Sequence, residues 1–199
     1  MQFEAIQSDI QEAIMSYEYP PHIGDACPCG SGLRRLFRCY DCLVHPTVCS
    51  QCLLRSHEYE HFHWAEVWTG YCFEKCELSA LGRRIYLGHD GSPCPAIRGL
   101  GRDSKLTVVD SNGIHDCFVV YCECAANIGP HSIPLQLLRS RLFPYTTTSP
   151  ETAVTFRCLS DYVIHSNASR KSAYDHMKAL YAMTAEEYRV NTSVSLRCP

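Results

Sequence analysis

The chain has no apolar run near the ~20 residues that a membrane-spanning helix needs. Met1 to Asp9 lack the basic stretch followed by an apolar stretch that marks a secretory leader. A strong charge of either sign is also missing. The formal net charge is −3, which excludes wholesale basic binding of nucleic acid but is compatible with a local basic patch. No glycine-rich loop stands between a strand and a helix to cradle phosphate, since Gly99-Leu-Gly101 is too short. Ser92, Ser104 and Ser166 lack a nucleophile-elbow context. Asp103, Asp110, Asp116 and Asp161 show no spacing that marks a cation-binding carboxylate set. Neither a membrane protein nor an enzyme is expected.

Cysteine is abundant: fourteen in 199 residues, with ten histidines. Without a leader, the expected compartment is intracellular and reducing, where thiols hold metal more often than they form disulfides.

The chain divides into an N-terminal helix (1–21), a cysteine-rich segment (22–78), a longer mixed segment (79–190) and a tail (191–199). Phe3, Ile6, Ile10, Ala13, Ile14 and Tyr17 draw one apolar helical stripe, expected to dock on the rest of the chain, and Tyr19-Pro20-Pro21 ends it. Arg84–Gly88, Leu106–Asp110 and Ile114–Cys122 read as strands, the last two forming a hairpin through Ser111-Asn112-Gly113. Three helices follow. One spans Pro134–Leu142. The second is capped by Ser149 and buries Ala153, Phe156, Leu159 and Tyr162. The third is capped by Ser172 with Asp175 and turns Tyr174, Met177, Leu180 and Tyr181 inward.

The cysteine-rich segment carries donors in pairs: Cys27 and Cys29, Cys39 and Cys42, Cys49 and Cys52, then His57 with His61 or His63. Each pair sets two soft donors on one tight turn, half of a tetrahedral zinc shell, so four pairs make two closed structural sites. In a cross-brace, pairs one and three share an ion and pairs two and four share the other; sequential wiring joins neighbours instead. The short gaps between pairs resemble those of B-box, ZZ and RING modules and favour the cross-brace. The expected fold class is α+β, a small zinc-stabilised cross-brace module followed by a β-hairpin-plus-helices domain.

Several segments together resemble the CxC-like cysteine-cluster domains associated with KDZ (Kyakuja-Dileera-Zisupton) transposases of fungi. They are FRCYDC (37–42), VCSQC (48–52), His57 with HWAEVWTG (63–70), LGHDGSPCP (87–95), LTVVDSNGIH (106–115) and YCEC (121–124). LLRSRLFP (137–144), TAVTFRCLSDY (152–162) and SAYDHMKAL (172–180) complete the series. The resemblance implies His63 rather than His61 as the eighth ligand, because the family's second histidine precedes a short strand ending Trp-x-Gly. It also implies a further cluster of Cys94, Cys122 and Cys124. His89, on Cys94's loop, is preferred over His115 as its fourth ligand. The implied cofactor is Zn2+, two ions and a third. Cys72, Cys76, Cys117, Cys158 and Cys198 fall off the family's cysteine positions and read as packing or free thiols.

In the family a transposase catalytic domain normally follows, and this chain reaches Pro199 without one. The resemblance therefore implies a non-catalytic accessory module, nuclear, whose partner is the transposase catalytic domain or transposon DNA. Arg34, Arg35 and Arg38 are the candidate nucleic-acid contacts, followed by Arg98, Arg102 and Lys105. The competing reading is a B-box- or ZZ-like module that binds protein through Trp64, Trp68, Tyr71 and Phe73 and has no nucleic-acid role.

Overall fold

The structure, a computed structural model, describes residues 3, 6–44, 46–97, 103–125 and 132–185. Arg98, Arg102, Cys198 and the tail 191–199 lie outside the described residues. The chain divides into two compact units between Leu81 and Gly82. Among the described residues no helix is long and apolar enough to cross a membrane.

The first unit has little core. Helix α1 (Gln7–Glu18) precedes a three-stranded antiparallel sheet of β1 (Phe37–Cys39), β2 (Ala65–Trp68) and β3 (Phe73–Cys76), in that order. The short helix α2 (Ser50–Ser56) lies between β1 and β2 in sequence. Cys39, Leu53, Ala65 and Leu78 form the buried cluster, with Phe37, Val48 and Leu54 packed around it. Contrary to the docking-helix expectation, α1 buries none of its side chains.

Arg38 is also a correction. It faces Glu66 across the β1–β2 ladder, and both side chains are only 3% exposed. Its Nε donates to Glu66 Oε2 at 2.6 Å and its Nη1 to the Tyr17 carbonyl at 2.6 Å. The guanidinium sits over the Tyr17 and Phe73 rings at 4.2 and 3.7 Å. A cation so enclosed satisfies the fold's own groups and cannot reach a phosphate.

The second unit is a five-stranded mixed sheet in the order β4-β6-β5-β8-β7. Its strands are β4 (Arg84–Tyr86), β5 (Ser104–Asp110), β6 (Gly113–Val120), β7 (Leu142–Pro144) and β8 (Thr152–Thr155). The expected hairpin is β5–β6, closed at Asp110↔Gly113. Along β6 the alternation is that of a half-buried strand: His115, Cys117 and Val119 point inward while Asp116 and Phe118 face out. Three helices accompany the sheet: α3 (Ser132–Arg139), α4 (Phe156–Ser169) and α5 (Ala173–Thr184).

Two helix boundaries differ from expectation. The first helix stops at Arg139, Arg141 adopts a left-handed φ of 59°, and Leu142 begins β7. The segment Thr152-Ala-Val-Thr155 is a strand rather than helix, because residues 152–154 pair with β5 on one side and residues 153–155 with β7 on the other. The cap of α4 is therefore Thr155, which accepts from the Cys158 amide, and not Ser149. Phe156 is correspondingly exposed. The Ser172 cap of α5 is present and accepts from the Asp175 amide, but the inward face is His176 and Leu180. Tyr174, Met177 and Tyr181 are exposed.

Candidate metal centres

Three groups of four side chains converge: Cys27, Cys29, Cys49 and Cys52; Cys39, Cys42, His57 and His63; and His89, Cys94, Cys122 and Cys124. Within each group every ligand atom lies within 4.8 Å of the others. None of these cysteines forms a disulfide.

The first group is assembled from a loop and a helix start. Gly30 and Gly32 take positive φ of 75° and 74°, letting the chain turn back so that the Cys27 amide meets the Leu33 carbonyl. That turn brings Cys27 and Cys29 onto one side. Cys49 is the N-cap of α2 and Cys52 lies in its first turn. The Sγ atoms of Cys27 and Cys52 are 3.9 Å apart and those of Cys29 and Cys49 are 3.7 Å apart. A zinc–sulfur bond of about 2.3 Å in a tetrahedron gives an edge of about 3.8 Å, whereas a disulfide needs about 2.05 Å.

The second group uses β1, the loop after it, the end of α2 and the approach to β2. Cys42 Sγ is 3.3 Å from His57 Nε2 and 3.5 Å from His63 Nδ1, and Cys39 Sγ is 3.5 Å from the same Nδ1. The expected sulfur–nitrogen edge is about 3.6 Å. The His57 tautomer follows from its other nitrogen. Nδ1 lies 2.9 Å from the Leu53 carbonyl, which can only accept, so Nδ1 carries the proton and Nε2 keeps its lone pair for a metal. His63 Nε2 lies 3.5 Å from the Glu60 carboxylate, the same arrangement with an acidic partner. His61 is outside the group and rests against Phe62.

The third group lies in the second unit. His89 and Cys94 sit on the loop after β4, and Cys122 and Cys124 follow β6. Cys94 Sγ is 3.6 Å from both Cys122 and Cys124, while His89 Nε2 is 3.2 and 3.3 Å from them. His115 is instead enclosed in β6 with Nε2 2.9 Å from Asn112 Oδ1.

Proton sharing shows how crowded these thiols are. Hydrogen bonds with Ser31 hold Cys29 down at about 6, while its neighbour Cys52, bonded to it, is pushed up to about 12. Burial and a bond with Cys42 push Cys39 up to about 12. Burial acts upward on Cys94 too, but amides of Glu123 and Ala96 hold it down at about 6, and Cys124 beside it rises to about 11. Thiolates this close repel, and a divalent cation at their centre would relieve that repulsion. The donor sets fit zinc: four soft thiolates in the first group and thiolates with imidazole in the other two, at tetrahedral spacing.

The remaining sequence candidates disperse. Arg34 is exposed and Arg35 half-buried, with its Nε donating to the Thr47 carbonyl at 2.8 Å. Lys105 pairs with Asp116. Trp64 is buried and Trp68 packs edge-on against Tyr19 and Phe73, so of the four aromatics proposed as a recognition surface Tyr71 is the exposed one. Cys76, Cys117 and Cys158 form no disulfide, whereas Cys72 is disulfide-bonded. Asp110 is buried and does more than close a turn. It accepts from Thr155 Oγ1 and pairs with Arg157, tying β5 to the start of α4.

No curated protein and no solved structure matches the chain. A family model, the CxC2-like cysteine cluster associated with KDZ transposases, matches residues 78–187. That range includes the third donor group and leaves the first two, with the resembling segments between 37 and 70, outside it. The match covers more than half of the residues, and the chain belongs to the CxC2-like cysteine-cluster family associated with KDZ transposases.

Proposed function

We propose that the chain is a zinc-stabilised accessory module that acts beside a KDZ-type transposase in the nucleus and carries out no chemical step itself. The observation that carries this reading is the closure of the donor groups. Each offers four protein ligands at tetrahedral spacing, which leaves no position for substrate or a reactive water. Two ions stabilise the first unit as a cross-brace, pairs one and three sharing one and pairs two and four the other. A third ion ties the loop after β4 to the end of β6. When bound, the zinc supplies shape: it fixes loops that have little core beneath them.

The partner is the transposase catalytic domain or element DNA. Protein contact has the better support. With Arg38 enclosed and Arg35 partly committed, the arginine loop presents little to a phosphate backbone. Exposed apolar side chains are plentiful on the same unit, among them Leu43 and Val44 beside the ligand Cys42.

Native mass spectrometry of the chain, purified under reducing conditions without chelator, tests the zinc reading. Three ions are expected. Two would return Cys94, Cys122 and Cys124 to the core as thiols, and a folded, metal-free chain would overturn the proposal. Salt-dependent retention on DNA that disappears in Arg34→Ala/Arg35→Ala would move the partner from protein to DNA.

A further inference from the structure

Helix α1 presents an apolar stripe that the described residues leave uncovered. At 100° per residue, Ile6, Ile10, Ala13, Ile14 and Tyr17 fall within an arc of about 100°, the width of a core-facing stripe. Yet Ile6, Ile10 and Ile14 are 46%, 37% and 53% exposed. The helix is not loosely attached. At its C-terminal end Arg38 bonds the Tyr17 carbonyl and lies over the Tyr17 ring. Tyr19 donates its hydroxyl to the Tyr71 carbonyl at 3.0 Å and packs against Trp68. The stripe is thus held out from a fixed base, as a docking helix must be.

Charge selects the occupant. Asp9 borders one edge of the stripe and Glu18 the other, Glu12 adds a carboxylate on the far face, and residues 1–33 contain no lysine or arginine. Nucleic acid and anionic membranes are repelled by such a border. A second copy of the same helix would bring further carboxylates and no lysine or arginine to pair with them. A helix with its own apolar stripe bordered by lysine or arginine meets both requirements.

We propose that α1 is the docking site for a basic amphipathic helix of a protein partner. This is independent of the zinc and transposase readings, because none of the α1 residues is a donor and the stripe lies outside the matched family segment.

The test uses the full zinc-loaded chain and two labelled synthetic helical peptides with identical apolar residues at i, i+3, i+4 and i+7, one bordered by lysine and one by glutamate. Fluorescence anisotropy should give micromolar binding of the lysine peptide, weakening several-fold between 50 and 500 mM salt, and none of the glutamate peptide. Ile10→Asp should weaken binding at least tenfold, the loss of one anchor worth about 1.4 kcal/mol. Since α1 buries nothing, Ile10→Asp should keep the wild-type zinc content, which separates lost docking from lost folding. Lysine-peptide binding that ignores Ile10→Asp would reduce the effect to diffuse charge attraction and overturn the proposal. So would equal binding of both peptides, or of neither. Sedimentation showing a dimer that Ile10→Asp dissolves would assign the stripe to a second copy instead.

Discussion

Replacing Gly88 with alanine should weaken the third donor group's hold on metal while every ligand stays in the sequence. Gly88 has φ 99° and ψ 173°, a region that is essentially glycine-only and costs other residues about 1–3 kcal/mol. A Cβ there would meet Cys122 Cβ at 3.1 Å and Sγ at 3.7 Å. Cys122 has no easy retreat. Its amide donates to Gln136 Oε1 at 2.7 Å and its carbonyl accepts from Gln136 Nε2 at 3.1 Å. The displacement therefore falls on the Cys122 thiolate or on the loop that carries His89. Backbone strain plus about 1 kcal/mol of overpacking makes about 2–4 kcal/mol. At 1.4 kcal/mol per decade that is roughly thirty- to several-hundred-fold in affinity for the third ion. Gly70→Ala is the matched control. It also has positive φ, 108°, but its Cβ would meet nothing within 4 Å, so it carries the strain without the collision and lies in the other unit. Competition with a chelator, followed by metal counting in a native mass spectrum, reads both variants. A Gly88→Ala chain that holds three ions as tightly as wild type would refute the reasoning, as would loss of the same ion from Gly70→Ala.

The shared-ion wiring is open to pairwise replacement. Cys27→Ser/Cys49→Ser should lose one ion and Cys27→Ser/Cys39→Ser two; sequential wiring reverses those counts. Arg38→Met should destabilise the first unit by about 3–5 kcal/mol, because it strands Glu66 as a buried unpaired charge. Arg38→Met/Glu66→Leu should recover most of that in urea unfolding, and a silent single variant would mean that the pair is hydrated in solution. His176 is held below its ordinary pKa by burial, reinforced by Lys171 and His165 and opposed by Asp161, with the Cys158 thiol 3.8 Å from Nε2. A histidine with a depressed folded pKa favours folding above its unfolded pKa of about 6.5, and that contribution is lost as pH falls through the folded value. Urea midpoints at pH 7.5 and 5.5 should therefore differ more for wild type than for His176→Leu. Equal differences would place the imidazole in water.

What the sequence made legible follows from range. The donor pairs were readable because one tight turn fixes each of them: Cys27-Pro-Cys29 and Cys49-Ser-Gln-Cys52 need only local geometry. The hairpin was readable for the same reason. Choosing His63 over His61 needed a resemblance, since both histidines have acceptable spacing and the choice depends on where β2 begins. Arg38 was misread because its burial comes from two partners far away in sequence, the Tyr17 carbonyl and Glu66, which a run of arginines beside a zinc loop does not reveal. The register Arg38↔Glu66 is the signal that could have exposed it, an opposite-charge pair directly across two short strands. The apolar face of α5 was misphased for a related reason. Tyr174, Met177 and Tyr181 follow helical spacing as well as His176 and Leu180 do, and periodicity alone cannot say which stripe meets β6.

The two units are stabilised by different means, and removing metal should separate them. In the first, four buried residues, Cys39, Leu53, Ala65 and Leu78, make the core cluster, and one of the four is itself a ligand candidate. Structural zinc contributes about 10–16 kcal/mol in small peptides, as much as the whole stability of an ordinary domain. A unit with that little core has no reserve to replace it. The second unit buries Leu106, Val108, Val109, Val119 and Ala153 in a five-stranded sheet, with Leu137, Leu142 and Leu180 also buried, and its donor group sits at the ends of strands rather than inside that core. Stripping the zinc with a strong chelator under reducing conditions should therefore abolish amide protection through β1, β2 and β3 while β5 and β6 keep theirs. Hydrogen exchange read by mass spectrometry distinguishes the segments directly. Simultaneous loss in both units would show that the third ion holds the sheet itself together, and retained protection in β1–β3 would show that the first unit needs no metal to fold.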